Sequence, residues 1–331
     1  MDEGLLYGHY LDRGEGEEAA RAAVAAVRAL EGDLARDGRT LGSATQDDIA
    51  AHVARLVAAG ENGAPRLLAL ARYFRLAGRP DLYVYFTRLF GGRGVLASIR
   101  ERTVEREGEA VAAEVFRDVQ DPPLGTPPEA MPETVRRLMA GFGRALPPER
   151  TRAALCGNHH RIPVDSFRGE RERYLAAPSL DAYLADLHVR RVEELARHAA
   201  DGTVWFEQRI TPRVVDFVRR EPEILSAVRA EDALYATKIP YDPDGWVAAA
   251  DPAERRYLAC HCPFVREAVR ASAEDGAPPL PPSDWCHCSA GFEKVLFDTI
   301  LGADLSVEVL ASVLLGDDRC RFRIRLPEGV R

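Results

Sequence analysis

The chain of 331 residues contains only two lysines, Lys238 and Lys294, although it has 44 basic side chains in all. Arginine therefore supplies nearly all of the positive charge, and together with the abundant alanine this bias reflects base composition more than chemistry. The formal net charge is −8. An acidic balance of this size argues against a general binder of nucleic acid or of anionic membranes.

Long apolar runs are also missing. The sequence has no stretch of about 18 apolar residues, so no transmembrane helix is predicted. The acidic N-terminus lacks the features of a secretory signal peptide. A cytoplasmic location is the default expectation, and there paired cysteines favour metal or redox chemistry over structural disulfides.

Several widespread catalytic motifs are absent as well. The sequence has no Gly-rich phosphate loop, no Gly-x-Ser-x-Gly nucleophile elbow and no His-Glu-x-x-His pair. Hydrophobic residues make up 46% and charged residues 29%, which is typical of a soluble globular protein. The length is compatible with two domains or one large domain.

The N-terminal part has the periodicity of a helical domain. Apolar residues recur at helical spacing between about Glu17 and Val119, and Thr45 with Asp48 has the pattern of a capping box. Four prolines and a glycine then fall within 121–128, where a helix cannot continue. We predict a helical domain at 1–120 and a second domain at 129–331; the alternative is a proline-rich loop inside one domain.

The second domain combines helices with a small antiparallel sheet. A short strand is predicted at 234–239, and 305–315 with 319–326 form the clearest hairpin. In its last strand apolar residues alternate with arginines, which predicts one buried and one polar face. The arginine face is either solvated or the contact of a homodimer. The predicted fold class is therefore α+β, with an N-terminal helical domain followed by helices packed on a small antiparallel sheet.

Four of the six cysteines lie in two copies of one tripeptide, Cys260-His261-Cys262 and Cys286-His287-Cys288. In extended backbone the two cysteines of each copy point the same way. Two such pairs brought together would place four thiolates around one point, an arrangement that Zn²⁺ favours. The first hypothesis is a zinc or other soft-metal site.

A catalytic thiol is the second hypothesis. Cys262 and Cys288 each precede an expected helix start, where the dipole and free N–H groups favour a thiolate. Cys260 or Cys288 could then act as a nucleophile, with His261 and His287 as bases or proton donors. The simplest alternative is buried cysteines accompanied by surface histidines.

Other residues could complete such a site. Cys156 and His159 have a spacing that lets them share a metal if the chain turns at Gly157. Glu207, beside two aromatic residues, is a candidate partly buried general base. Three cations could bind an anionic substrate. Lys238 lies in an otherwise apolar and aromatic run, and Arg266 and Lys294 each follow one of the tripeptides, near an expected helix start.

The C-terminal third resembles a bacterial cysteine-rich family. The residues that carry the resemblance are Cys260-His261-Cys262-Pro263, Trp285-Cys286-His287-Cys288-Ser289-Ala290-Gly291-Phe292 and Gly316-Asp317-Asp318-Arg319-Cys320-Arg321-Phe322. The terminal motif is similar to that of L-2-amino-thiazoline-4-carboxylate hydrolase-like proteins and of vinyl-reductase-type small-molecule binding domains. The resemblance extends over 135–328 and is best over 256–328.

The resemblance implies two functions. The hydrolase-like relatives imply opening of a small ring that contains sulfur and nitrogen, and the vinyl-reductase-type relatives imply a ligand-binding α+β domain. We therefore expect a hydrolase-like enzyme that acts on a small polar molecule at a cysteine-rich, zinc-binding site. The alternative is a non-enzymatic ligand- or metal-sensing module, in which the cysteines form a structural zinc site or a redox switch.

Overall fold

The computed structural model describes residues 3–272 and 276–330 and is an α+β structure, as predicted. Its contacts divide the chain into two compact units. The first comprises Met1–Arg93 with Pro122–Met131, and the second comprises Gly94–Asp121 with Pro132–Arg331. In the described part of the chain, no helix is both long enough and apolar enough to cross a membrane.

The first unit is helical. Its helices are α1 (Glu3–Asp12), α2 (Gly16–Arg36), α3 (Gln46–Ala58), α4 (Ala64–Leu76) and α5 (Pro80–Phe90). The predicted capping box starts α3, because the Thr45 hydroxyl accepts from the Asp48 amide and the Asp48 carboxylate accepts from the Thr45 amide. Helix α5 is rich in aromatic residues and begins with a proline in its first turn. One continuous apolar core joins these helices.

The proline-rich segment packs on the first unit. Leu124 joins the core of that unit, and the Asn62 side chain donates to the Leu124 carbonyl at 2.6 Å. Gly125 has φ +92°, and a Cβ there would lie 2.6 Å from a methyl of Val53, so only glycine fits this turn. The division between the compact units therefore differs from the boundary expected at 121–128, because this segment has specific contacts of its own.

The second unit begins with helices and a short hairpin. The elements are α6 (Val95–Glu107), α7 (Glu109–Val115), α8 (Met131–Ala145), α9 (Pro148–Leu155), α10 (Arg168–Ala176), α11 (Leu180–Asp201), β1 (Val204–Trp205), β2 (Gln208–Arg209) and α12 (Pro212–Arg220). Ser179 caps α11, and Gly202 ends it in the left-handed conformation. Strands β1 and β2 pair as a tight hairpin, because Phe206 turns the chain with φ +50°.

The remaining elements build the sheet and the helices around it. They are β3 (Val228–Ala230), β4 (Ala233–Thr237), α13 (Pro243–Ala248), α14 (Pro252–Ala259), α15 (Arg266–Ala271), α16 (His287–Leu301), β5 (Val307–Ala311) and β6 (Arg321–Arg325). The sheet is antiparallel with strand order β3-β4-β6-β5. The predicted C-terminal hairpin is present as β5 and β6, but both strands are shorter than expected and 312–320 connects them.

One face of the sheet is buried and the other is polar. Leu234, Ala236 and Ile324 pack with Leu184 of α11 and Phe297 of α16 in one apolar cluster. The arginines of β6 alternate onto the opposite face, as their spacing predicts. Carboxylates within the chain pair with them: Arg321 with Glu223 and Arg323 with Asp232 and Glu308. The homodimer contact through this face stays a prediction.

Candidate functional site

The end of β4 places Lys238 beside the last strand. The Lys238 amide donates to the Cys320 carbonyl at 2.9 Å, which continues the pairing of β4 with β6 by one residue. The Lys238 ammonium donates to the Ser289 hydroxyl at 3.2 Å and lies 4.3 Å from the centre of the Phe292 ring. A cation over an aromatic face is attracted by the ring quadrupole. The lysine is therefore anchored from two sides by α16.

Helix α16 presents a polar surface to Lys238. Ser289, Phe292 and Glu293 stand at positions i, i+3 and i+4, so they share one side of the helix. Burial raises the pKa of the Glu293 carboxyl, and the positive charge of Lys238 opposes that rise. No hydrogen bond to the Glu293 carboxyl forms within 3–272 and 276–330. Glu293 is thus a carboxyl group that feels the charge of Lys238 and has no hydrogen-bond partner among those residues.

Three thiols surround the same lysine. The charge of Lys238 lowers the pKa of Cys262, Cys288 and Cys320, whereas burial, the larger effect at each of them, raises it. The net result is a pKa above the usual value at each thiol. These cysteines are therefore neutral thiols in the resting protein, and the lowered pKa expected for a cysteine at a helix start is not found at Cys288.

The two tripeptides meet through an aromatic residue. The Trp285 indole N–H donates to the Cys262 sulfur at 3.2 Å, and the Trp285 ring packs edge-on against Phe264. Cys260 and Cys286 are buried behind this contact, and burial raises the pKa of both thiols. The Cys262 thiol raises the pKa of Cys260, Cys286 and Cys288, so the four sulfurs of the tripeptides form one electrostatic group.

These side chains form a half-buried cluster. Lys238, His261, Cys262, Glu293 and Cys320 each retain accessible surface. Burial is nevertheless the main cause of the pKa shifts of His261, Cys262, Glu293 and Cys320. This half-buried cluster, the Lys238 recess, consists of Lys238, His261, Cys262, Cys288, Ser289, Phe292, Glu293 and Cys320.

The two tripeptide histidines have different surroundings. The His261 Nε2–H donates to the Ile239 carbonyl at 2.5 Å, so its Nδ1 is the acceptor nitrogen. Burial lowers the pKa of His261 to about 3, with Lys238 as the next cause. His287 instead donates from Nδ1 to the Asp284 carbonyl at 3.0 Å and lines a separate cavity. The structure therefore brings His261, but not His287, into the recess.

A close backbone contact holds α16 against a neighbouring turn. A Cβ on Gly291 of α16 would lie 2.4 Å from the Gly157 nitrogen and 2.5 Å from the Gly157 oxygen. Only glycine lets the helix approach the turn at Cys156 and Gly157 this closely. Cys156 is half-buried, burial raises its pKa to about 11, and it contributes to raising the pKa of Cys288.

His159 is a fully partnered core histidine. Its Nε2–H donates to the Ala154 carbonyl at 3.1 Å, and Nδ1 lies 3.2 Å from the Ser98 hydroxyl. Burial lowers its pKa to about 4. Both ring nitrogens are therefore engaged in hydrogen bonds. Within the described ranges, 3–272 and 276–330, no three His, Cys, Asp or Glu side chains are placed to hold one metal ion. The zinc site stays a prediction.

The remaining candidates lie on other elements. Glu207 occupies the turn between β1 and β2, a hairpin that packs on α11 and α13. Arg266 is buried with its guanidinium 3.9 Å from the Tyr241 ring centre and 4.4 Å from that of Tyr257. Lys294 is buried between Asp298 and Asp304, which pair with its ammonium. Arg266 and Lys294 thus have structural contacts, and Lys238 alone of the three cations reaches the recess.

Glu293 was missed by the sequence reasoning. It precedes Lys294 in an apolar helix and has the appearance of an ordinary helical carboxylate. The signal that could have found it is its spacing of four residues from Ser289 and five from Cys288, which puts it near the second tripeptide on α16. Cys320 precedes β6 and lies beside Lys238.

Comparison with known proteins gives one match. No curated protein matches the chain, and no solved structure does. The matching family model carries the description "Family of unknown function (DUF6144)" and covers 237–330, less than a third of the chain. The matched segment contains Lys238, both tripeptides, α16 and the final hairpin. The chain is therefore similar to this family over the segment that supplies every side chain of the Lys238 recess.

Proposed function

We propose that the protein is a hydrolase-like enzyme that acts on a small polar molecule bearing a carboxylate, and that the Lys238 recess is its reaction centre. The observation that carries this proposal is the Glu293 carboxyl, whose pKa burial raises against the opposing charge of Lys238, in a cluster with thiols that stay neutral. A carboxyl group with a raised pKa facing a fixed cation is typical of catalytic sites.

Each group has a role in this scheme. Lys238, held by Ser289 and Phe292, binds the substrate carboxylate or stabilises negative charge that develops on the substrate. Glu293 in its ionised form takes a proton from water as the water attacks the electrophilic carbon. The resulting carboxyl then gives that proton to the leaving nitrogen or sulfur. His261 offers its Nδ1 as a hydrogen-bond acceptor and stays uncharged.

The thiols give the recess a soft, weakly polar lining. Burial keeps Cys262, Cys288 and Cys320 protonated, so the recess holds no negative charge from them that would repel an anionic substrate. Soft sulfur atoms also suit a substrate that itself contains sulfur. This chemistry agrees with the resemblance to L-2-amino-thiazoline-4-carboxylate hydrolase-like proteins. We propose a cytoplasmic location for the reaction, where six unpaired thiols remain reduced.

The test is hydrolysis of L-2-amino-thiazoline-4-carboxylate and related sulfur- and nitrogen-containing ring carboxylates, followed by mass spectrometry. The Glu293→Gln variant is expected to lose about 100-fold or more in kcat, the usual contribution of a general acid–base group. Lys238→Met is expected to raise KM, because it removes the cation that binds the carboxylate. Glu254→Gln, an exposed position on α14, is the matched control and is expected to retain activity. Equal activity in wild type and Glu293→Gln would contradict the proposal.

A second function rests on the cysteines alone. The tripeptide sulfurs form one electrostatic group, and such a group would bind a soft metal ion or act as a redox switch if the backbone adjusted. Because the thiols are protonated at rest, metal binding would release protons. Elemental analysis with thiol titration tests this function. About one zinc per chain, with four thiols freed by a chelator, supports it; no metal with rapidly titrating thiols contradicts the metal site.

A further inference from the structure

A cavity of about 730 Å³ lies within the second unit, on the opposite side of α16 from the Lys238 recess. His287 and Lys294 of α16 line this cavity, whereas Ser289, Phe292 and Glu293 of the same helix belong to the recess. Its volume falls in the range of sites for small organic ligands. None of the steps proposed for the recess uses it.

The cavity has a cationic end. Arg102 and Arg106 stand four residues apart on α6, so their side chains lie next to each other on its surface. Arg102 donates to the Ala153 carbonyl at 3.2 Å, and its nearest carboxylate, that of Asp304, is 3.8 Å away. Arg106 is exposed and forms no ion pair within 3–272 and 276–330. Two guanidinium groups therefore keep donors available for an anion.

The cavity also has an apolar wall. Val307 and Val309 of β5 point to the same side of the strand, and Leu305 and Leu315 flank them along the lining. Leu315 is 54% exposed, which leaves a large apolar side chain uncovered at this surface. An apolar wall beside two guanidinium groups is complementary to a molecule with a hydrocarbon body and one anionic head.

The carboxylates of the lining do not cancel this cationic end. Three of the four are paired with cations of the chain: Asp284 with Arg152, Asp304 with Lys294, and Glu308 with Arg323 and Arg325. Glu149 is the fourth and is exposed on α9. Cations also outnumber anions around Asp304. Burial raises the pKa of this carboxyl, but the paired Lys294 lowers it, and the nearby charges of Arg102 and Arg106 lower it further.

We infer that this cavity is a second ligand site, which binds a small amphipathic carboxylate with its head at Arg102 and Arg106 and its hydrocarbon body along Val307, Val309 and Leu315. Octanoate is the probe, and octanamide, which has the same body without the charge, is its neutral control. Binding is measured by calorimetry and by lysine-selective ¹³C NMR. The two lysines report separately, because Lys294 lines this cavity and Lys238 lies in the recess.

The expected result is that octanoate binds, shifts the Lys294 signal and leaves that of Lys238 unchanged. The Kd should weaken about tenfold in Arg106→Gln and in Arg102→Gln, since a charge-assisted hydrogen bond is lost. Arg100→Gln is the matched control on the same helix, because Arg100 pairs with Glu109 and does not line the cavity. The inference is overturned if octanamide binds as tightly as octanoate, if Arg106→Gln binds like wild type, or if Lys238 shifts in place of Lys294.

Discussion

The contact between α16 and the turn at Gly157 gives a sharp prediction about stability. In Gly291→Ala the added Cβ would lie 2.4 Å from the Gly157 nitrogen, whereas ordinary van der Waals contact begins at 3.4 Å. The helix or the turn must therefore move by about 1 Å, and both atoms in the way belong to rigid backbone. Overpacking of this kind costs about 1–3 kcal/mol. Alanine regains about 0.5–1 kcal/mol of helix propensity. The expected net loss in unfolding free energy is between about 0 and about 2.5 kcal/mol, whereas helix propensity alone would give a gain.

Gly143→Ala is the matched control. Gly143 lies within α8, and nothing stands within 4 Å of a Cβ placed there. The same substitution is therefore expected to stabilise the protein by about 0.5–1 kcal/mol at this position. Urea unfolding followed by tryptophan fluorescence is the assay. The three tryptophans, Trp205, Trp246 and Trp285, all belong to the second unit and report on its unfolding.

A further readout connects this contact to the recess. If α16 is displaced by Gly291→Ala, the buried thiol of Cys288 on this helix becomes more accessible, and its reaction with a thiol reagent should be faster than in wild type. The reasoning is refuted if Gly291→Ala and Gly143→Ala change the unfolding free energy by the same amount and in the same direction. Such a result would mean that α16 does not approach the Gly157 backbone as closely as described.

Three more predictions concern the surroundings of the recess. Trp285→Phe removes the indole N–H that donates to Cys262 and keeps most of the ring. The unfolding free energy should therefore fall by about 1 kcal/mol in the same urea assay. An unchanged unfolding free energy would show that this hydrogen bond contributes nothing to stability. Lys294→Met leaves Asp298 and Asp304 without their buried partner and should lower the unfolding free energy by about 2 kcal/mol. This loss is smaller than is usual for breaking a buried ion pair, because Asp304 is largely exposed. A stabilised variant would contradict this prediction. The third prediction concerns pH: burial raises the pKa of the five clustered thiols above the usual value of about 9. As the pH rises past about 9, the thiols therefore lose their protons in the unfolded chain before they lose them in the folded protein. The stabilisation that these buried thiols give is complete below about pH 9, and above it the unfolding free energy falls by up to about 1.4 kcal/mol per pH unit for each thiol. Urea unfolding under reducing conditions at pH 8, 9 and 10 should show this decline, and a constant free energy would contradict it.

The fold was predictable where local patterns decide it. The Thr45–Asp48 capping box and the alternation in β6 each depend on neighbouring residues, and both are present. The turn at Phe206 and the packing of Leu124 depend on tertiary contacts and backbone strain. Such features have no local periodicity, so the hairpin β1–β2 and the extent of the first unit could not be predicted from the sequence.

The candidate site was predictable only in part. The repeated tripeptide and the rarity of lysine both directed attention to residues that lie together, Cys262, Cys288 and Lys238. However, the number of residues that separate a side chain from a cysteine did not reveal which face of helix α16 that side chain occupies. Glu293 and Lys294 are adjacent, yet successive residues of a helix are rotated by about 100°, so one enters the recess and the other pairs with Asp298 on another side.

The central claim, that a small carboxylate substrate binds at Lys238 beside Glu293, is tested most directly by lysine-selective ¹³C NMR. The chain gives only two lysine side-chain signals, and a Lys294→Arg variant assigns them. Titration with L-2-amino-thiazoline-4-carboxylate is predicted to shift the Lys238 signal in wild type and in a slowly reacting Glu293→Gln variant, while the Lys294 signal stays constant. An unchanged Lys238 signal at saturating concentrations of this carboxylate would contradict the account.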